Sequence, residues 1–162
     1  MKKVIIIGCP GSGKSTFAKK LQPLCGLPLY HLDLLYWNAD RTHLPKEEFR
    51  AKLWDLLQEE SWIIDGNYQS TMELRMQACD TVFFLDYPVE VCLSGMEERK
   101  GKVRTDMPWT EAVDEVNEEF VTLIKQYNTD SRPDVLRLLE QYSDKNIVVF
   151  HSREEAEEYL KQ

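Results

Sequence analysis

The sequence predicts an α/β fold built on a parallel sheet, and three observations carry this expectation. Five short apolar runs, Lys3–Gly8, Leu29–Leu32, Trp62–Asp65, Thr81–Asp86 and Asn146–Phe150, are nearly continuous rather than alternating, as in strands covered by helices on both faces. Stretches with helical periodicity separate them, which is the alternation that makes a parallel sheet. A glycine-rich loop follows the first run directly and leads into a helical pattern. At 162 residues the chain is expected to form a single domain, 1–162, long enough to bury a core unaided.

The elements follow in order. Val4–Ile7 is the apolar centre of the first strand, and Phe17, Ala18 and Leu21 mark the inner face of the helix after the glycines. Pro45 opens a helix whose inner face is Phe49, Leu53, Leu56 and Leu57. Pro88 opens another that buries Val89, Cys92, Leu93 and Met96. Thr110 is placed to cap a long helix with the stripe Val113, Val116, Phe120, Leu123, Ile124 and Tyr127. Ser131 caps the next, with Val135, Leu138, Leu139 and Tyr142 inside. Ser152 with Glu155 reads as a capping box for a last helix burying Ala156, Tyr159 and Leu160. One stretch breaks the pattern: from Arg99 to Pro108 the chain is basic, polar and almost without apolar residues. By itself such a run reads as a solvated loop.

Composition narrows the function. Twenty basic and 28 acidic residues leave a net charge of −8, which argues against non-specific nucleic-acid binding, although a local basic patch can persist in an acidic chain. Cys9, Cys25, Cys79 and Cys92 form no C-x-x-C pair, and three histidines are scattered. Reduced thiols are expected rather than a disulfide frame or a nitrogen–sulfur metal site. The apolar runs are too short to span a bilayer or to serve as a signal peptide, so a cytoplasmic protein is expected.

The chemistry is carried by Gly8-Cys9-Pro10-Gly11-Ser12-Gly13-Lys14-Ser15, which fits G-x-x-x-x-G-K-[ST] at every specified position. The strand before it and the helix after it supply the required context. Gly8, Pro10, Gly11, Ser12, Gly13, Lys14, Ser15 and Thr16 are the expected ATP-binding set. Glycines let backbone N–H groups turn toward phosphate oxygens, and the helix N-terminus adds partial positive charge. Lys14 supplies a compact cation for the β- and γ-phosphates, and Ser15 a hydroxyl ligand for Mg²⁺. A GTPase would carry D-x-x-G and N-K-x-D; neither occurs. The chain is short for a motor or an oligomeric ATPase, which leaves a small-molecule kinase.

Four segments recur here in a recognisable order: the Gly8–Ser15 loop, His31-Leu32-Asp33 with Tyr36-Trp37, Trp62 to Tyr68, and Phe83 to Pro88. In this the chain resembles the adenylate kinase-like P-loop proteins labelled DNA topology modulation proteins, over nearly its whole length, and more distantly adenylate and shikimate kinases. The resemblance implies a three-layer P-loop NTPase fold with a five-stranded parallel sheet in the order 2-3-1-4-5. It also implies ATP with Mg²⁺ on the loop, an acceptor-side insertion at about 33–60 and a small mobile lid at about 99–110. The label itself says little about chemistry, because function belongs to sites.

Further candidates take their roles from this frame. Asp65 ends the third strand, where a carboxylate would sit near Mg²⁺ or its waters; Asp-Gly is also a turn signal by itself. Asp33 ends the second strand, and by the resemblance an acid there touches acceptor or metal; it can orient an attacking hydroxyl or take its proton. His31 is read as a hydrogen-bonded strand residue. Tyr36 and Trp37 can stack on a planar acceptor or fill core. Asn67 and Arg75 are acceptor-side candidates, with a surface salt bridge as the alternative for Arg75. Asp86 is read as a turn residue. Arg99 and Arg104, with Lys102, are expected to close over the γ-phosphate. Gly95 stands where the resembled proteins carry an arginine, which leaves open a nucleotide-dependent regulatory protein with little transferase activity. Arg132 is expected in a solvated capping region.

Overall fold

The computed structural model describes residues 1–99 and 118–162. Strand β1 (Lys3–Gly8) leads through the glycine loop into α1 (Lys14–Cys25), then β2 (Leu29–His31), the short α2 (Leu32–Tyr36) and α3 (Lys46–Leu57). Next come β3 (Trp62–Asp65), a 3₁₀ turn at Gln69–Thr71, α4 (Met72–Ala78), β4 (Thr81–Leu85) and α5 (Val89–Arg99). Beyond the undescribed stretch lie α6 (Glu118–Asp130), α7 (Arg132–Gln141), β5 (Asn146–Phe150) and α8 (Arg153–Leu160). The expected lid, with Lys102 and Arg104, and the expected cap at Thr110 with Val113 and Val116 lie outside the described residues.

All five strands are parallel and ordered β2-β3-β1-β4-β5, with helices on both sides. The central strand explains the continuous apolar run: Val4, Ile5, Ile6 and Ile7 are all fully buried, because β3 and β4 flank β1 and helices cover its faces. Register places Ile6 opposite Asp65 on one side and Phe83 on the other. Phe17 of α1 packs its ring on Phe83 and Phe150, which ties the first helix across the sheet.

Helix ends follow local chemistry. Gly13 takes a left-handed conformation (φ 95°) at the start of α1, and Gly26 (φ 73°) ends that helix with its N–H donating to the Gln22 carbonyl. The Ser152 hydroxyl accepts from the Glu155 N–H at 3.2 Å, while the Glu155 carboxylate reaches back to the His151 N–H. Ser131 stands at the start of α7 without a side-chain cap bond, and Pro133 supplies the fixed φ of the first turn instead.

Three expectations shift. Strand β2 stops at His31, so Asp33 lies in the first turn of α2 rather than on the strand. Leu123, expected inside, is 48% exposed, while Ile124 and Tyr127 on the same helix are buried. Asp86 falls one residue beyond β4. Among the described residues no helix is long and apolar enough to cross a membrane.

Candidate functional site

Ligands of open parallel sheets sit outside the carboxyl ends of the strands. Here those ends present Gly8, His31, Asp65 and Leu85, and a cleft of about 1130 Å³ opens over them. Pro10, Gly11, Ser12, Gly13, Lys14, Ser15 and Thr16 line it together with Asp33, Trp37, Asp65 and Asn67. Residues from the loop, α2 and the end of β3, separated by tens of positions in the chain, thus face one space.

The loop is built by close backbone packing. Gly11 is left-handed (φ 83°), and a Cβ on it would stand 2.1 Å from the Cys92 carbonyl of α5. A Cβ on Gly95 would stand 2.0 Å from the Gly11 carbonyl. The two glycines let loop and helix meet backbone to backbone, so glycine at position 95 has a packing cause. Gly95→Ala should therefore push the loop away from α5 at a cost of about 1–3 kcal/mol, read by thermal unfolding. Below this contact, Cys9 in the loop and Cys92 of α5 are both buried; the hydrogen bond with Cys92 and burial hold the Cys9 thiol protonated. Ser12 is buried, and its hydroxyl oxygen has no hydrogen-bond partner among the described residues.

Lys14 folds back into the loop. Its Nζ donates to the carbonyls of Gly8 at 3.0 Å and Cys9 at 3.2 Å. Burial lowers its pKa, and the negative charges of Asp33 and Asp65 oppose that shift. The cation therefore donates to two loop carbonyls within the field of the Asp33 and Asp65 carboxylates.

Each carboxylate has a fixed neighbour. His31 donates from Nδ1 to Oδ2 of Asp65, both side chains being buried. Register explains the pair, since β2 and β3 align His31 with Asp65. A carboxylate can only accept, so the proton sits on Nδ1. Tyr68 donates its hydroxyl to Oδ1 of Asp33. Burial first, then the charge of Asp33, raises the Tyr68 pKa, so the phenol stays a donor. Asn67 accepts from the Gly8 N–H at 3.2 Å through Oδ1, coupling the turn after β3 to the loop's first glycine.

Arg75 corrects the acceptor-side expectation. It is completely buried, does not line the cleft, and donates to the carbonyls of Gly66 (2.9 Å), Asn67 and Tyr68 (3.1 Å). It is an internal strut that holds the turn carrying Asn67 and Tyr68, including Tyr68 in its left-handed conformation (φ 32°). Burial brings its guanidinium down to about 10, still charged at neutral pH. The physical reason is the turn itself: successive carbonyls converge there, and a guanidinium satisfies several at once. Arg132, expected to be solvated, instead grips Asp86 with Nε and Nη2, each at 2.9 Å. That bond raises the Arg132 pKa further.

The far wall is aromatic. Tyr36 stacks on His43 with centroids 4.8 Å apart and meets Trp37, Phe49 and Tyr68 at 5.0–5.1 Å. Tyr36 and Trp37 pack on one another and line the cleft. Tyr68, Arg41 and His43 also line it and were not singled out as binding residues from the sequence. Tyr68 stood beside Asn67 in the segment already noted; nothing local distinguishes the other two. Arg99 ends α5, and Arg104 lies outside the described residues.

A phosphate-type loop at the end of the central strand of a 2-3-1-4-5 parallel sheet defines the P-loop kinase fold. Two solved structures share it. A shikimate kinase from Aquifex aeolicus matches with a TM-score of 0.55 at 20% identity, covering 98% of this chain and 91% of that one. A shikimate kinase from Bacteroides thetaiotaomicron matches with a TM-score of 0.56 at 16% identity, covering 98% and 93%. No protein-family model and no curated protein matches the sequence.

Proposed function

We propose that this chain is an ATP-dependent phosphotransferase acting on a small-molecule or nucleotide acceptor. The observation that carries the reading is the meeting, in one cleft, of the glycine loop, the Lys14 cation and the Asp33 and Asp65 carboxylates beside an aromatic chamber. Phosphoryl transfer is mostly positioning and charge stabilisation, which is what such a set supplies.

The γ-phosphate would replace the Gly8 and Cys9 carbonyls as partner of Lys14. Gly8, Pro10, Gly11, Ser12, Gly13, Ser15 and Thr16 would cradle the phosphates, and the unpartnered Ser12 hydroxyl suits that use. The donor set fits Mg²⁺, a hard cation that takes oxygen ligands and keeps waters: the Ser15 hydroxyl and the Asp65 carboxylate would hold it, the latter oriented by His31. When bound, the ion neutralises charge on the phosphates. Asp33, kept in place by Tyr68, would orient an acceptor hydroxyl and take its proton; an acceptor phosphate would need no base. Trp37 and Asn67 would contact the acceptor. Arg99 and Arg104 would supply the lid charge over the γ-phosphate. A lid of this kind and an acceptor-side insertion within a single domain belong to the same reading, as does a cytoplasmic setting.

The alternative, a nucleotide-dependent regulator of the topology modulation type, drew on the missing arginine at Gly95. The Gly11–Gly95 approach gives that glycine a structural cause independent of activity, so the kinase reading is preferred.

A thermal-shift screen of candidate acceptors, with and without a non-hydrolysable ATP analogue and Mg²⁺, followed by phosphotransfer assays on the hits, tests the proposal. For a hydroxyl acceptor, Asp33→Asn should lower turnover by about two decades or more while ATP affinity changes little. ATP binding with no transfer to any stabilising ligand would return the regulatory reading.

A further inference from the structure

The acceptor end of the cleft is short of positive charge. Arg75, behind the turn after β3, is spent on the carbonyls of Gly66, Asn67 and Tyr68. Arg132 is spent on Asp86. Among the described residues, the elements that carry the aromatic chamber bring one permanent cation to the cleft. It is Arg41, on the exposed turn of the hairpin closed by the Trp37–His43 bridge. Against it stand the Asp33 and Asp65 carboxylates, which line the same space.

The polar atoms left without partners on this side are neutral. Gln69 follows Tyr68 directly and lines the cleft. Its Nε2 donates to Oδ2 of Asp134 at 3.1 Å, which fixes the amide, since a carboxylate only accepts. Its Oε1 is buried and has no partner among the described residues. The Tyr127 hydroxyl, which also lines the cleft, is likewise buried and unpartnered among the described residues, and burial raises its pKa, so it too stays neutral. An amide oxygen only accepts, as do the two carboxylates, so this wall requires O–H or N–H donors from whatever it binds. A phosphate monoester brings about two negative charges and a set of acceptor oxygens instead, and it needs a cationic clamp. The rings of Tyr36, Trp37, His43 and Tyr68 offer planar partners beside these groups.

We propose that the phosphoryl acceptor is an uncharged molecule of the nucleoside class. Its planar ring would stack in the chamber, a ring-edge N–H would donate to Gln69 Oε1, and a free hydroxyl would face Asp33. The inference rests on the kinase reading above and narrows its acceptor. In the transfer, the hydroxyl proton passes to Asp33 and later to water, while the acceptor oxygen bonds to the γ-phosphorus. The bridging P–O bond to the β-phosphate breaks, leaving a nucleoside monophosphate and ADP.

Calorimetry in the presence of a non-hydrolysable ATP analogue and Mg²⁺ tests this, with adenosine, guanosine, cytidine, uridine and thymidine beside their 5′-monophosphates. At least one nucleoside should bind at least about tenfold more tightly than its monophosphate, which meets like charge at Asp33. Labelled γ-phosphate from ATP should pass to that nucleoside. Gln69→Leu should weaken its binding at least about fivefold and leave the ATP analogue within about twofold. Tighter binding of a monophosphate, or transfer to one, overturns the proposal and makes Arg41 its phosphate partner. Binding of the ATP analogue with no binding in either series also overturns it, as does a Gln69→Leu variant with unchanged nucleoside affinity. If the wild type does not bind the ATP analogue, the kinase reading fails and this inference with it, an outcome distinct from failure of the nucleosides alone.

Discussion

Lys14→Ala is expected to bind ATP at least about tenfold more weakly than the wild type, by calorimetry. A hydrogen bond to a charged group contributes roughly 1.5–3 kcal/mol, and 1.4 kcal/mol is one decade. Once an acceptor is known, the turnover of this variant should fall by about two decades or more, because in the proposed reaction the lost charge would face the transferring group. The apo fold should not suffer in proportion. Burial lowers the Lys14 pKa from its ordinary 10.5, so the cation is a cost to the empty protein that its two carbonyl contacts only partly offset. The sign follows from linkage. Below the lowered folded value both states hold the proton and the penalty is complete. Between that value and 10.5 the unfolded chain binds more protons, so stability rises with pH. Denaturant titrations across the alkaline range should show this rise in the wild type relative to Lys14→Ala. An unchanged ATP affinity in a folded variant would remove the basis of the nucleotide site.

The largest effect on stability is expected at Arg75. Arg75→Met keeps most of the side-chain volume and removes the guanidinium, leaving the carbonyls of Gly66, Asn67 and Tyr68 without their shared donor. Unsatisfied buried groups cost about 1–3 kcal/mol each, and losing the buried charge returns part of that. A net loss of about 2–4 kcal/mol should appear as a fall of about 5–15 °C in Tm. Arg75→Lys should rescue little, since one ammonium on a flexible stem does not reproduce the fork. The consequence reaches function through the turn: Asn67 touches Gly8 and Tyr68 holds Asp33, so nucleotide and acceptor sides should loosen together. A variant with unchanged Tm would return Arg75 to the surface or to the acceptor.

These two residues show how unevenly the site is legible. Lys14 sits in a motif whose spacing encodes its backbone geometry, so its position could be assigned from eight consecutive residues. Arg75 has no such context. Its helix is only seven residues long, too short for periodicity to say which way the side chain faces. An arginine is by default a surface residue, and what pulls it inside is a set of carbonyls in a turn whose shape is not local to it. Asp33 was near its true position, yet the strand ended two residues before it, because Leu32 turns into a short helix to bury its side chain in the core. Gly95 shows the opposite case: compared only with related sequences it looked like a lost arginine, and its cause lies in a backbone 84 positions earlier in the chain, at Gly11.

The sequence by itself determined most of the elements and the glycine-loop motif, though not the short helix Leu32–Tyr36. Apolar continuity, helical period, the glycines and the Ser152–Glu155 cap are local signals, each acting through neighbours a few residues away. Tertiary structure decided the pairings: His31 with Asp65, Tyr68 with Asp33, Arg132 with Asp86, Gly11 against Gly95, and Arg153 beside Glu98. Those contacts exist because the crossover order places β3 between β1 and β2, and α5 and α8 beside the loop. A polar side chain has no preferred depth until that arrangement gives it a partner. Local pattern therefore reports which residues avoid water, while the sheet order determines which charges and carbonyls meet.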